Sequence, residues 1–122
     1  GYTDEMFAAV EKDLLQAAID DFVDICAKDL TDYDEELEEF NITLSRKEQS
    51  ILALSMIVHW LEPYVFNSDA LKNAMSTKDF SMFSPAKLLE QMKDLLQYSE
   101  RKLKAEMNGY SFRVNKVSEL TE

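Results

Sequence analysis

The chain has 122 residues, of which 24 are acidic and 13 are basic, so its net charge at pH 7 is −11. This length suits a single domain, and 46% hydrophobic with 30% charged residues is typical of a globular protein. Two glycines and two prolines provide too few turn residues for a many-stranded sheet, which predicts an all-α fold, a small helical bundle. Cys26 is the only cysteine, so an internal disulfide and a cysteine metal cluster are both excluded. This cysteine usage fits a protein of a reducing compartment.

Acidic residues are concentrated in the first third of the chain. Residues 1–40 contain fourteen acidic residues and two lysines, a net charge of −12, so the other 82 residues sum to +1. Such a surface repels nucleic acids and anionic membranes and favours a partner with a basic face. We therefore expect no direct DNA binding. The opening GYTDEM lacks a signal region, which favours synthesis in the cytoplasm.

The first helix is predicted over residues 4–27, with Thr3 as its cap. Apolar residues recur at intervals of three and four, as in an amphipathic helix. They are Phe7, Val10, Leu14, Ala18, Phe22 and Ile25. Aspartates occupy the opposite side, which is either a solvated surface or a docking face in an oligomer.

An acidic run follows from Leu30 to Phe40, in which Asp32, Asp34 and Glu36 stand at alternate positions. This spacing resembles a calcium-binding loop, but Leu37 occupies the position that needs glycine. We therefore predict a loop or a frayed helix without a metal site.

The second helix, predicted over residues 45–62, is the most apolar part of the chain and the expected centre of the bundle. Ser45 and Glu48 form a capping-box pair at its start, and Pro63 should end it. The apolar run is too short for a bilayer, so no membrane span is predicted.

A short helix is predicted over residues 68–75 and a third long helix over residues 85–108. Pro85 marks the start of the long helix and Gly109 its end, and its outer face is basic. The predicted core residues of the second and third helices are Ile51, Leu54, Ile57, Trp60, Leu61, Leu89, Met92 and Leu96.

Beyond Gly109 the pattern predicts an extended strand. Tyr110, Phe112 and Val114 alternate with polar residues, as in a half-buried strand. The segment is paired within the chain, disordered, or added to the sheet edge of a partner chain. We divide the chain into a bundle domain, 1–109, and a docking tail, 110–122. The candidate docking residues are Tyr110, Phe112, Arg113, Val114 and Lys116.

The sequence contains no recognisable active site. His59 is the sole histidine and lies between Val58 and Trp60, which favours a core or interface role. Cys26 lies on an apolar face and is expected to be an unreactive buried thiol. No phosphate-binding loop is possible with so few glycines. We predict that the protein is not an enzyme and binds no metal or cofactor.

Three segments together resemble the small head–tail connector (adaptor, or head-completion) proteins of tailed bacteriophages of Gram-positive hosts. The matching segments are SRKEQSILALSMIVHWLEP, SDALKNAMSTKDFSMFSPAKLLEQMKDLL and NGYSF. The likeness covers a little over half of the chain and consists of apolar positions and turn residues.

The resemblance implies a structural virion protein of the neck that forms a homo-oligomeric ring, commonly twelvefold, beneath the portal. Its partners would be the portal protein and the next neck or tail protein, and DNA would pass through without specific binding. The tail after Gly109 would dock on the portal. The alternative is an acidic helical interaction protein, a DNA mimic or a regulator, that binds a basic partner.

Overall fold

The computed structural model describes the backbone of residues 4–67 and 85–121 and the side chains of residues 9–67 and 86–115. The structure is mostly helical, which confirms the predicted all-α class. The elements are α1 (Asp4–Phe22), β1 (Tyr33–Asp34), β2 (Glu39–Phe40), α2 (Arg46–Phe66) and α3 (Pro85–Thr121). The predicted helix over 68–75 lies outside the described residues.

Helix α2 lies at the centre of the bundle, as predicted, and both α1 and α3 pack against it. One cluster of buried side chains joins α1 to the first half of α2 and includes Ala18, Phe22 and Ile51. A second cluster joins the second half of α2 to α3 through Leu61 and Leu96. The two neighbours of α2 are therefore held along two separate stripes of its surface.

Helix α1 ends at Phe22, one turn earlier than predicted. The amide of Cys26 still donates to the carbonyl of Phe22 (2.9 Å), but the amide of Ala27 donates instead to the hydroxyl of Tyr110 (2.8 Å). This bond replaces the next helical one and turns the chain, so that Lys28 points toward the start of α2. A tertiary contact thus fixes the helix end.

The acidic run forms a short antiparallel hairpin in which β1 pairs with β2, and the predicted loop or frayed helix is wrong for these residues. The Asp34 carboxylate accepts hydrogen bonds from the amides of Glu36 and Leu37, which closes the turn. Tyr33 and Phe40 lie opposite each other with their rings edge to face, 5.1 Å apart. The aspartate oxygens that resembled calcium ligands therefore serve the hairpin.

Helix α2 begins as predicted and runs one turn further. Ser45 is the N-cap, and its capping box with Glu48 is complete. Pro63 lies inside the helix, which reaches Phe66, so the predicted end at residue 62 is wrong. Proline removes one helical hydrogen bond. Val65, two residues after Pro63, packs against the cluster around Leu61, and this contact favours continuation of the helix.

Helix α3 runs from Pro85 to Thr121 without a break at Gly109, so the predicted helix end and the strand after it are wrong. Gly109 has no positive φ and is an ordinary helical residue, at a cost of about 1 kcal/mol relative to alanine. Tyr110 and Val114 pack against the cluster around Phe22, and this burial favours the helix over a stop. The predicted boundary between 109 and 110 therefore lies inside a helix.

The predicted core is correct along one side of α2 and wrong along another. Ile51, Leu61 and Leu96 are buried. Leu54, Leu89 and Met92 are half-buried. Ile57 and Trp60, however, are 41% and 48% exposed. The physical reason is that α1 and α3 cover only two stripes of α2, and these two residues lie on the remaining side.

Within the described residues, no helix is long and apolar enough to cross a membrane.

Candidate functional site

The centre of the bundle contains a buried carboxylate, that of Glu48, which is 2% exposed. Lys28 Nζ and the amide of Ser45 both donate to Glu48 Oε1 at 2.8 Å. Tyr110 Oη donates to the other oxygen, Oε2, at 2.8 Å. Lys28 also bonds the carbonyl of Thr43. Residues from the α1–β1 connection, from the start of α2 and from α3 thus converge on one side chain.

These hydrogen bonds keep Glu48 ionised. Burial by itself would raise the pKa of the carboxyl, but the bonds from Lys28, Ser45 and Tyr110 outweigh it and lower the pKa to about 2. A carboxylate with such a low pKa is a poor proton donor or acceptor near neutral pH. We therefore interpret Glu48 as a structural anchor.

Tyr110 is the residue that links the end of α1 to α3. Its hydroxyl accepts from the amide of Ala27 and donates to Glu48, and its ring meets Phe22 edge to face at 5.1 Å. Burial raises the pKa of this hydroxyl above its ordinary value, and the bond to the Glu48 carboxylate adds to the shift. Cys26 Sγ lies 3.6 Å from Glu48 Oε2, and burial raises the pKa of its thiol. This thiol is not activated as a nucleophile, as expected.

A second polar contact joins α1 to α2 through Asp21. Its Oδ2 atom accepts from Ser55 Oγ at 2.8 Å and lies 2.6 Å from His59 Nε2. Ser55 is buried, whereas His59 is half-buried. A serine nucleophile needs histidine as its direct base. Here both side chains bond to the aspartate, so the geometry supports helix docking, and His59 has the interface role that the sequence predicted.

The open side of α2 carries large apolar side chains. Ile57 and Trp60 are 41% and 48% exposed, and Trp60 contacts the half-buried Tyr64 with ring centroids 5.8 Å apart. On α3, Leu95 and Tyr98 are 46% and 55% exposed. Large exposed apolar side chains on two helices are candidates for protein interfaces.

A groove continues this surface between α2 and the hairpin. Phe40, Leu52 and Met56 line its apolar floor, and Glu38 and Glu39 form its rim. Helical spacing places Met56 one turn before Trp60, so the groove and the open side of α2 form one apolar surface with an acidic end. The acidic residues on the exterior of the described part of the chain also include Asp13, Asp20, Asp24, Glu35 and Glu36.

The structure separates the predicted docking residues instead of aligning them on one face. Tyr110 is buried and Val114 packs against the core, whereas Phe112 and Arg113 are exposed. Lys116 lies in α3, and its side chain is outside the described residues. Docking on a portal stays a prediction, with Phe112 and Arg113 as the accessible positions for it.

Sequence reasoning missed Glu48 and Tyr110 as contact partners. The capping box marked Glu48 as a helix-start residue, but its second role requires residues 20 and 62 positions away. Among the described side chains, no group of three or more histidines, cysteines, aspartates or glutamates is arranged to hold a metal ion.

Comparison with known proteins finds no match to this chain among protein-family models, curated proteins or solved structures.

Proposed function

We propose that this protein is a structural subunit of a bacteriophage neck, a head–tail connector that assembles into a ring beneath the portal and extends the DNA channel. The proposal rests on the resemblance of three sequence segments to such connectors. The observation that supports it best is the exposure of large apolar side chains, Trp60 and Ile57 on α2 and Leu95 and Tyr98 on α3.

An exposed tryptophan beside other apolar side chains has a physical cost in water. About 25 cal/mol is recovered for each Å² of apolar surface that a neighbour covers. Tryptophan and tyrosine are also the residues that most often dominate the energy of protein contacts. A subunit that stays in contact with copies of itself or with other neck proteins would cover these exposed apolar side chains.

The charge of the protein fits the same role. The outward acidic residues of α1 and the hairpin would repel the phosphate backbone, so DNA could pass through the channel without being held. The portal and the next neck or tail protein would supply the contacts above and below the ring. In this proposal the assembled protein is located in the neck of the virion.

The test is assembly in vitro. Purified protein would be examined by native mass spectrometry and by electron microscopy of stained particles, by itself and mixed with the portal protein of the same virus. We expect a closed ring of many copies, commonly twelve, in one of the two samples. A protein that stays monomeric in both samples, or that does not bind the portal in the mixture, would contradict the proposal.

The second candidate is an acidic interaction protein that binds a basic partner. It is favoured by the hairpin, where four exposed glutamates lie within five residues, at 35, 36, 38 and 39. For this candidate we expect a monomer or dimer whose binding to a basic partner weakens steeply with salt. The native mass distinguishes the two functions directly.

A further inference from the structure

We infer that the apolar groove between α2 and the hairpin receives α3 of a second copy of this chain, in a head-to-tail contact. This inference deepens the proposed ring-forming function and rests on it for the size of the assembly. The acceptor groove is Phe40 and Met56 with the rim residues Glu38 and Glu39, extended along α2 by the exposed Trp60. The donor stripe is Leu95, Tyr98, Arg101 and Lys102.

The acceptor groove lies on the side of α2 that its own neighbours leave open. Leu52 and Ser55 face α1, and Leu61 faces α3. At 100° per residue, Ile57 and Trp60 point away from both of these stripes, and their exposure agrees with this direction. A third helix can therefore lie along α2 without displacing either α1 or α3.

The donor stripe has the composition that this groove requires. Leu95 and Tyr98 are separated by three residues and Tyr98 and Lys102 by four, so they lie along one side of α3. The first two are about half exposed, and Arg101 and Lys102 are exposed. An apolar pair is followed by two cations, as in helices that insert an apolar face into a groove.

Charge fixes the direction of the contact. The acidic rim belongs to the hairpin side of the groove, whereas Trp60 lies one helical turn beyond Met56 along α2. Arg101 and Lys102 would approach Glu38 and Glu39 if Leu95 and Tyr98 lay over Met56 and Trp60. The second copy's α3 would then run antiparallel to α2, because its residue numbers fall as those of α2 rise.

The donor stripe and the acceptor groove lie on different parts of one subunit. A single contact therefore occupies only one of the two surfaces on each subunit. A subunit that gives its donor stripe to one neighbour still offers its acceptor groove to another. Such heterologous contacts close into a ring if the rotation allows it and otherwise produce a filament. This is the property that a ring subunit needs.

The test uses two charge-reversed variants and a matched control. Arg101→Glu/Lys102→Glu reverses the donor stripe, and Glu38→Lys/Glu39→Lys reverses the acceptor rim. Lys93→Glu/Lys104→Glu makes the same change in charge on the opposite side of α3 and serves as the control. Circular dichroism and melting temperature establish that each variant is folded, and analytical ultracentrifugation measures self-association.

We expect each reversed variant to self-associate at least about tenfold more weakly than the parent, because like charges then face each other. An equimolar mixture of the two reversed variants should recover the self-association of the parent, since every junction between unlike variants again pairs opposite charges. The control should associate like the parent. Equal weakening of the control, or no association in the mixture, would overturn the inference.

The outcomes for this contact and for the proposed function are separate. Rings that form on the portal from both reversed variants as well as from the parent would exclude this contact and leave the connector function intact. Self-association that follows the charge pattern in a protein that ignores the portal would support the contact and contradict the connector function. A parent protein that stays monomeric at millimolar concentration, with and without portal, would overturn both.

Discussion

On two sides of helix α2, the exposure of a side chain is the opposite of what its polarity suggests. On one side the charged Glu48 is 2% exposed, and on another the tryptophan at position 60 is 48% exposed. Glu48 is buried because the Lys28 ammonium, the Ser45 amide and the Tyr110 hydroxyl satisfy it. Trp60 is exposed because neither α1 nor α3 reaches it. At these two positions of α2, burial follows the place of the neighbouring elements and not the hydrophobicity of the side chain.

The largest effect on stability is expected from truncating an aliphatic side chain on the covered side of α2, compared with one on its open side. Leu61→Ala removes a side chain that is 1% exposed and should lower the free energy of unfolding by about 2–5 kcal/mol. Ile57→Ala, the matched control, removes a 41% exposed side chain and should cost less than about 1 kcal/mol. Urea unfolding of dilute protein measures both. Equal losses would mean that the open side of α2 is covered.

Acid should weaken the polar side of α2. The pKa of Glu48 is about 2 in the folded state and 4.5 ordinarily. The stability that this carboxylate contributes is therefore fully present above about pH 4.5 and is lost as the pH falls toward 2. The loss corresponds to about 3 kcal/mol at 1.36 kcal/mol for each unit of pKa difference.

The variant Glu48→Gln isolates this effect from the other carboxylates. It should be less stable than the parent at pH 7, and the difference between the two should shrink between pH 4.5 and 2.5. Urea unfolding at several pH values is the measurement. A constant difference between parent and Glu48→Gln would show that Glu48 has an ordinary pKa.

A smaller effect is expected from Tyr110→Phe, which keeps the ring contact with Phe22 and removes the hydroxyl. Glu48 loses one donor and the Ala27 amide loses its acceptor. We expect a loss of about 1–3 kcal/mol in the free energy of unfolding. Tyr98→Phe, at a 55% exposed position, is the control and should be neutral in the isolated subunit. A neutral Tyr110→Phe would place this hydroxyl in solvent.

The smallest effect on the isolated subunit should come from Trp60→Ala. About half of this side chain is already in water, and its main described contact is with Tyr64. We expect a loss of about 1 kcal/mol or less, well below the 3–5 kcal/mol typical of a buried aromatic residue. Thermal melting of dilute protein measures it. A loss of about 3–5 kcal/mol would instead show that Trp60 is a core residue, as the sequence pattern predicted.

Local signals in the sequence predicted the fold well where the structure depends on local contacts. The capping box of Ser45 and Glu48 marked the start of α2, and apolar spacing identified three long helices. Prediction failed where distant residues decide. Gly109 and Pro63 often end helices. Here α3 continues past Gly109 because Tyr110 packs in the cluster around Phe22, and α2 continues past Pro63 because Val65 packs against the cluster around Leu61.

The candidate surfaces were harder to predict than the helices. A helix with apolar residues on most of its circumference looks enclosed in sequence, because the pattern carries no information on how many neighbours are present. The basic side of α3 was visible in the sequence, whereas the groove needed the hairpin to be known. Asp34 as a turn-closing residue and the facing pair Tyr33 and Phe40 were the signals that could have identified that hairpin.

The bond between Ala27 and Tyr110 has a consequence for synthesis on the ribosome. The two residues are 83 positions apart, and Tyr110 also supplies the last donor to Glu48. While α1 and α2 have emerged and α3 has not, the Glu48 carboxylate lacks that donor and the Phe22 side chain lacks its ring partner. The first two helices of the nascent chain therefore cannot reach their final stability until α3 has left the ribosome, so this bundle cannot complete its folding while α3 is still being made.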